Sequence, residues 1–597
     1  MSGPTPEQAE GDPYLKDSRI VTAFNSSSLS ADVTADVVYV NYGRPEDFQV
    51  LADNHIDVRG KIVLARYGEN FRGVKAYLAQ LHGAAGLLIY SDPADDGYFR
   101  GDPYPKGPYL PDTGVQRGAI QYLFEAPGDP TTPGEASTLD LPDSRRVPLE
   151  TSPSQPKIAS TPLSAHDASP ILAHLAGPES PRSWQGALPF TYHLGPGPVK
   201  VHLLLHQEYA LHTIWDVIGK VAGTTSPDAC VIAGNHRDAW VFGAVDPNSG
   251  TAAMLEAVHG VGALLHQGWK PRRTILFASW DAEEEGLIGS TEWVEQHPKE
   301  LRQAVAYFNM DVGVAGPNFS VDADPSLQPF IISIAKQVPS PQGGTVYDAW
   351  KNAQQKHLSP TVNNGFNPMQ TDSDAGQDVH IGNLGSGSDF TPFFQHAGVP
   401  ATDITSDGPY GVYHSAFDNY AWFVKFADPK FLYLQQQARV FGLEVIRMAD
   451  ATVLPFDDAL YGSEIVSYVK AAQKKSAAAG LATVNFNGAI NAAERFRKAG
   501  ANALAEAQNP AANADAINTA LRTVEENLLV SAGLPHRPWY KHTIYAPGEF
   551  TGYAAVVIPG VNEAIDNKNA ALASQQLTVL THALNRASKT LEKIRAK

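Results

Sequence analysis

Short apolar runs in the middle of the chain stop at chemically loaded positions. Val231-Ile232-Ala233-Gly234 leads into His236-Arg237-Asp238. Thr274-Ile275-Leu276-Phe277-Ala278-Ser279-Trp280 leads into Asp281-Ala282-Glu283-Glu284, and Val305-Ala306-Tyr307-Phe308-Asn309 into Met310-Asp311. Short runs that are apolar throughout predict strands buried on both faces. Between the first two, residues 251–267 carry Ala252, Leu255, Val258, Leu264 and Leu265 at helical intervals. This alternation over residues 212–451 predicts a mostly parallel sheet covered by helices, an α/β domain.

Nearer the N-terminus, residues 60–66, 74–81 and 84–90 read as strand, helix and strand, a small βαβ unit. Pro/Gly-rich loops at 102–113 and 126–136 surround it, within a domain spanning 1–211. Residues 341–387 are polar and rich in Gly, Asn and Gln, which predicts long loops, with 385–388 edging a cleft. A phosphate cradle is the weaker reading of those glycines, since no Lys-Ser/Thr pair follows. From about residue 452 the chain turns Ala-rich, with predicted helices at 463–479, 488–506, 512–532 and 562–596. They read as a helical bundle over 452–597. Residues 534–540 and 544–547 punctuate it as non-helical chain.

Composition narrows the function. The 597 residues carry a net charge of −18, which argues against nucleic acid or an anionic membrane as partner. The lone cysteine, Cys230, rules out an intrachain disulfide and reads as a buried thiol. No run is long and apolar enough to span a bilayer, and the first residues show no signal-peptide pattern.

The strand ends hold the candidate chemistry, where α/β sheets place their sites. Neighbouring side chains diverge, so of Glu283 and Glu284 one can bind a metal while the other serves as general base. His236 offers an imidazole, and Asp238 is spaced to orient it. Asp246 lies ten residues past His236; Asp311 ends the third run, and His414 sits in Tyr413-His414-Ser415. Singly, each histidine reads as an ordinary polar residue, Asp311 as a helix cap and the two glutamates as a solvated face. Together they suit two divalent ions about 3.5–4 Å apart with one bridging carboxylate. An N/O donor set without cysteine favours zinc in an open catalytic site.

Four motifs carry a family resemblance. Gly234-Asn235-His236-Arg237-Asp238-Ala239-Trp240-Val241-Phe242-Gly243, Trp280-Asp281-Ala282-Glu283-Glu284, Leu384-Gly385-Ser386-Gly387-Ser388-Asp389-Phe390 and Tyr413-His414-Ser415 resemble the glutamate carboxypeptidase II group. These are di-zinc exopeptidases among the M28 peptidases, related to the transferrin receptor. The resemblance covers nearly the whole chain. It implies a protease-associated (apical) domain, a di-zinc peptidase domain and a C-terminal helical domain that forms a homodimer. It implies two zinc ions on His236, Asp246 (bridging), Glu284, Asp311 and His414, with Glu283 as proton shuttle and Tyr413 assisting. It implies a structural calcium at Thr132, Glu292 and Glu295. Family members usually work outside the cytoplasm and begin with more chain, so this start reads as trimmed; the sequons at Asn25 and Asn318 do not decide the compartment.

The resemblance also implies substrate contacts at Phe71, Arg72, Leu287, Gly387, Ser388, Tyr413 and Tyr553. Arg72 with the tyrosines matches the family's grip on a free C-terminal carboxylate. The lysine that reads a glutamate side chain is missing, its Lys-Tyr pair being Gly552-Tyr553 here. Glu125 stands where an asparagine is usual, Ser388 replaces another, and Ile404, Ser406 and Ser320 stand in place of arginines. The expected activity is removal of a C-terminal residue from dipeptides or short peptides with relaxed glutamate selectivity, and weak cleavage of acetyl-aspartyl-glutamate. The alternatives are an aminopeptidase of the same family, with Glu285 or Glu125 meeting the substrate amine, and an inactive transferrin-receptor-like protein.

Overall fold

A computed structural model describes residues 3–355, 379–509 and 512–594. The N-terminal third is built on a five-stranded sheet: β1 (Ala31–Tyr39), β2 (Ile62–Arg66), β3 (Gly86–Tyr90), β4 (Ser160–Leu163) and β5 (Lys200–Leu205), in the order β4-β3-β2-β1-β5. β1 to β4 are mutually parallel and β5 closes the edge antiparallel to β1. The helix Arg72–Leu81 bridges β2 and β3, so the expected βαβ unit is present, with the helix starting two residues earlier than the periodicity suggests. Asn25, in the first sequon, is fully buried and hydrogen-bonded to Gly118 and Ser160, which leaves no room for a glycan.

The second sheet has six strands: β6 (Val217–Val221), β7 (Ser226–His236), β8 (Arg273–Trp280), β9 (Ala304–Asn309), β10 (Asn318–Ala323) and β11 (Ala401–Asp407). Its order is β10-β11-β9-β7-β8-β6; the four inner strands run parallel and the two edges antiparallel. The centre is apolar because β7 and β9 bury every residue from Cys230 to His236 and from Ala304 to Asn309. Helices Asn248–His266 and Leu432–Asp450 pack on each other and on β7. Register matters most here. His236 pairs with Trp280 across β7–β8, and Gly234 with Asn309 across β7–β9, so three strands end level.

Two expectations need correction. Residues 341–387 are not loop throughout: Val346–Gln355 is a helix, held by Val346, Trp350 and Ala353 buried along one face. Residues 356–378 of that stretch lie outside the described residues. The phosphate reading of 385–388 fails, because the Ser386 N–H donates to the Tyr553 carbonyl (2.8 Å).

At the C-terminal end, Asp458–Ala478, Asn487–Ala507 and Ala570–Leu591 pack together. The helix expected at 512–532 is shorter, Ala514–Arg522, and gives way to a tight turn at Glu526–Leu528 that buries Leu528. The long helix expected at 562–596 is two, Pro559–Asp566 and Ala570–Leu591. Lys568 turns left-handed (φ 52°) between them, and Asn569 caps the second by accepting the Leu572 N–H. A short hairpin, β12 (Tyr545–Pro547) and β13 (Ala555–Val557), leaves this region. No helix of the described residues is long and apolar enough to cross a membrane.

Candidate active site

The level ends of β7, β8 and β9 bring the expected residues together in two groups. His236, Glu283 and Asp311 form one; Asp246, Glu284 and His414 form the other. His236 Nε2 lies 2.8 Å from Asp311 Oδ1 and 4.0 Å from Glu283 Oε2. His414 Nε2 lies 3.1 Å from Asp246 Oδ2 and 3.2 Å from Glu284 Oε2. Asp246 joins the groups, since its other oxygen, Oδ1, is 3.5 Å from His236 Nε2. Ligands about 2.0–2.1 Å from a tetrahedral ion sit roughly 3.3 Å apart, so this spacing fits convergence on two centres.

Electrostatics point the same way. Burial and the repulsion of neighbouring carboxylates push Glu283 and Glu284 well above the ordinary carboxylate range. Burial also opposes charge on Asp246, yet hydrogen bonds from His236 and His414 hold it below that range. Burial brings His414 down to about 4. It opposes charge on His236 too, but there Asp311 and Glu283 outweigh it and hold the imidazole high. Glu284 Oε1 is buried without a hydrogen-bond partner.

Supporting residues set these orientations. Asp238 accepts the N–H groups of Glu283 (3.1 Å) and Glu284 (3.0 Å), and its carbonyl lies 3.0 Å from His236 Nδ1. Ser388 donates to Asp311 Oδ2 (2.7 Å) and accepts from Asn309. Of the expected substrate contacts Ser388 is the exception: it stands behind Asp311 and does not line the cavity. Phe71, Arg72, Leu287, Gly387, Tyr413 and Tyr553 all line it.

Three regions of the chain meet there. Phe71 and Arg72 start the Arg72–Leu81 helix, and Tyr553 arrives on the β12–β13 hairpin to stack on Phe71 at 4.4 Å. Tyr413 stacks on His414 at 3.6 Å. Arg72 is buried, with Nε donating to the Ala119 carbonyl (3.0 Å). Gly118 makes room for it: a Cβ there would lie 2.0 Å from Arg72 Nε. Glu125, Glu285, Ser320, Ile404 and Ser406 do not line the cavity. Ile404 and Ser406 are buried in β11, and Glu285 is exposed.

Near the calcium candidates, Glu292 accepts the N–H groups of Asp129 (2.7 Å) and Ser137 (2.5 Å). Glu295 Oε1 accepts from Trp539 Nε1 (2.8 Å), while Glu295 Oε2 and Thr132 Oγ1 are buried without partners. Burial and mutual repulsion raise Glu292 to about 8; burial raises Glu295 to about 7.

Residues 216–425, which hold both histidine–carboxylate groups, match peptidase family M28. The chain belongs to that family. Its M28 domain is flanked by a match to the PA domain over residues 33–123 and to the transferrin receptor-like dimerisation domain over 481–592. The full chain is 36% identical over 568 residues to a probable glutamate carboxypeptidase of Arabidopsis thaliana, covering 94% of this chain and 78% of that protein. A probable glutamate carboxypeptidase of Arthroderma benhamiae is 38% identical over 593 residues, 94% and 77% of the two chains. The aminopeptidase NAALADL1 of Mus musculus is 34% identical over 592 residues, 93% and 77%. The M28 peptidase therefore has the α/β fold, PA domain and C-terminal helical region expected from its motifs.

Sequence reasoning missed several neighbours of the site. Asp418 accepts the N–H groups of Val245 and Asp246, and the Arg117 carbonyl lies 3.3 Å from His414 Nδ1. Neither lies in a recognisable pattern, and only folding brings them alongside.

Proposed function

We propose that this M28 peptidase is a two-zinc exopeptidase releasing the C-terminal residue of dipeptides or short peptides, with relaxed glutamate selectivity. The observation that carries this reading is that Arg72, Tyr413 and Tyr553 line the same cavity as both histidine–carboxylate groups. The donor set of two imidazoles with carboxylates suits zinc. Buried carboxylates this close call for cations, and the unpartnered Glu284 Oε1 is a free donor atom.

His236, Asp311 and Asp246 would hold one ion; His414, Glu284 and Asp246 the other. Bound there, zinc supplies Lewis-acid polarisation of the scissile carbonyl and acidifies water. The chain's own residues do the remaining work. Glu283 takes the proton of the attacking water and returns it to the leaving amine. Burial holds the Tyr413 phenol well above its ordinary range, which keeps it a donor for the oxyanion. Arg72 holds the terminal carboxylate through its planar fork.

The reading extends to a homodimer through the C-terminal helices, an extracytoplasmic location, and calcium on Thr132, Glu292 and Glu295, whose oxygen donors suit that ion. The aminopeptidase reading draws on the mouse relative's name, but neither Glu285 nor Glu125 lines the cavity to meet an amine. An inactive receptor-like protein would have no use for the full ligand set.

Zinc-loaded protein tested on capped dipeptides separates these readings. Carboxypeptidase action tolerates an N-acetyl cap and fails on a C-terminal amide; the reverse pattern overturns it. Glu283→Gln should lose about 10²–10⁴-fold in rate while retaining its zinc.

A further inference from the structure

We infer that Lys75 is a positioning residue for Arg72: its buried ammonium ties down the loop from which Phe71 and Arg72 emerge, and so sets the site for the substrate carboxylate. The inference rests on the carboxypeptidase reading above. Lys75 is 1% exposed and does not line the cavity. It sits near the start of the helix Arg72–Leu81, where its N–H donates to the Phe71 carbonyl (3.2 Å). Its Nζ donates to the Tyr42 carbonyl (2.7 Å), the Gly68 carbonyl (2.8 Å) and Asn70 Oδ1 (2.6 Å). An ammonium has three N–H groups and no acceptor, so three acceptors satisfy it completely. Two of them lie in the loop between β2 and the helix, and the third lies in the loop after β1. A methionine of similar shape would fill this space without desolvating a charge, so what the lysine adds is the three-way tie.

The tied loop needs an anchor. Gly68 and Glu69 both have positive φ, 112° and 65°, and a glutamate holds that conformation only where its surroundings impose it. From the anchored Asn70 the chain runs directly into Phe71 and Arg72, which line the cavity. The Phe71 N–H donates to the Thr551 carbonyl (2.9 Å) and its ring stacks on Tyr553 at 4.4 Å. The Arg72 guanidinium lies 5.4 Å from the centre of the same ring. A shift at residues 68–70 is therefore passed to Phe71, Arg72 and Tyr553 together. Burial brings the Lys75 ammonium down to about 7; Asp47, Asp95 and Glu69 favour it and Arg44 opposes it. The Tyr42 ring, 5.7 Å away, faces it as well. Neutral lysine keeps two N–H groups for three acceptors, so the tie weakens as pH rises through that value.

The test compares the zinc-loaded full chain with its Lys75→Met variant. On acetyl-alanyl-leucine the variant should raise KM about tenfold and keep kcat within about threefold, because a displaced binding group acts through substrate placement. Inhibition by free leucine, whose carboxylate needs Arg72, should weaken by a similar factor. Inhibition by acetohydroxamate, a zinc-binding probe with no carboxylate, should stay unchanged. Equal weakening of both inhibitors, weakening of neither, or a loss confined to kcat overturns the inference. Wild-type KM should rise between about pH 6 and about pH 8, and Lys75→Met should lack that rise; parallel profiles overturn the inference. Where Lys75→Met does not fold, Asn70→Ala removes one acceptor and should raise KM about threefold; an unchanged KM in folded protein overturns the inference. If the wild-type protein cleaves no acetylated dipeptide, the carboxypeptidase reading fails, and calorimetry with free leucine reads the carboxylate site directly. Weaker leucine binding by the variant then supports the role of Lys75; equal binding, or none by the wild type, overturns it.

Discussion

Glu7 and Arg117 form a 2.7 Å ion pair whose side chains are 5% and 1% exposed. Glu7 also accepts the N–H groups of Val115 (3.1 Å) and Ala416 (3.2 Å). The Arg117 backbone brackets His414, its N–H donating to the His414 carbonyl (3.2 Å) and its carbonyl facing Nδ1. One glutamate near the start of the described chain thereby ties a loop of the PA domain region to the segment carrying His414.

Glu7→Ala strands a buried arginine, and breaking a buried pair costs about 3–5 kcal/mol. Denaturant unfolding should show a loss of that size, and zinc retention should fall with it because His414 loses its support. A loss below about 1 kcal/mol, as for a solvated surface pair, would dismiss the clamp.

Asp238 fixes the turn that presents Glu283 and Glu284 by accepting both of their N–H groups. Asp238→Ala should weaken zinc binding about 10–100-fold, the usual cost of removing a residue that orients ligands. Competition against a chelator measures it. Unaltered affinity would show that the turn keeps its shape without the aspartate.

Gly118→Ala drives a methyl group into the Arg72 guanidinium. If Arg72 holds the substrate carboxylate as proposed, displacing it should lower kcat/KM on the order of 10–100-fold, mainly through KM. Steady-state kinetics on an acetylated dipeptide tests this, and a loss confined to kcat would contradict the role given to Arg72.

His542 makes stability depend on pH. Its Nδ1 accepts the N–H groups of Ile544 and Tyr545, and Nε2 meets Glu525 at 2.5 Å, so the ring is neutral with its proton on Nε2. Burial lowers it from 6.5 to about 3. The unfolded chain therefore gains a proton that the folded chain refuses, and this contribution to stability is lost as pH falls below 6.5 toward 3. Burial raises Glu525 to about 8, so its contribution runs the other way and is lost as pH rises through that value. His542→Gln should reduce the fall in melting temperature between about pH 7 and about pH 5; an identical slope would reject the assignment.

By itself the sequence determined the sheet's parallel core, the residues at its strand ends and the family. Those properties are local: an apolar run reads as a buried strand wherever it lies, and the motifs around His236, Glu283 and His414 are contiguous. Even there, local patterns misjudged the last helix, because nothing in the periodicity announces that Lys568 adopts φ 52°. The Val346–Gln355 helix, by contrast, was legible, since Val346, Trp350 and Ala353 stand at helical spacing, but the polar composition of the longer stretch masked it. What only tertiary structure decided is which distant residues share a wall. Ser388 was expected at the substrate, but the closeness of β9 to the 384–390 segment gives it to Asp311 instead. Glu7 meets Arg117, and Gly552 meets Phe71, though each pair lies more than a hundred residues apart in sequence. Such contacts depend on how separately formed elements dock, a sum of many weak packing terms that no single stretch of chain records.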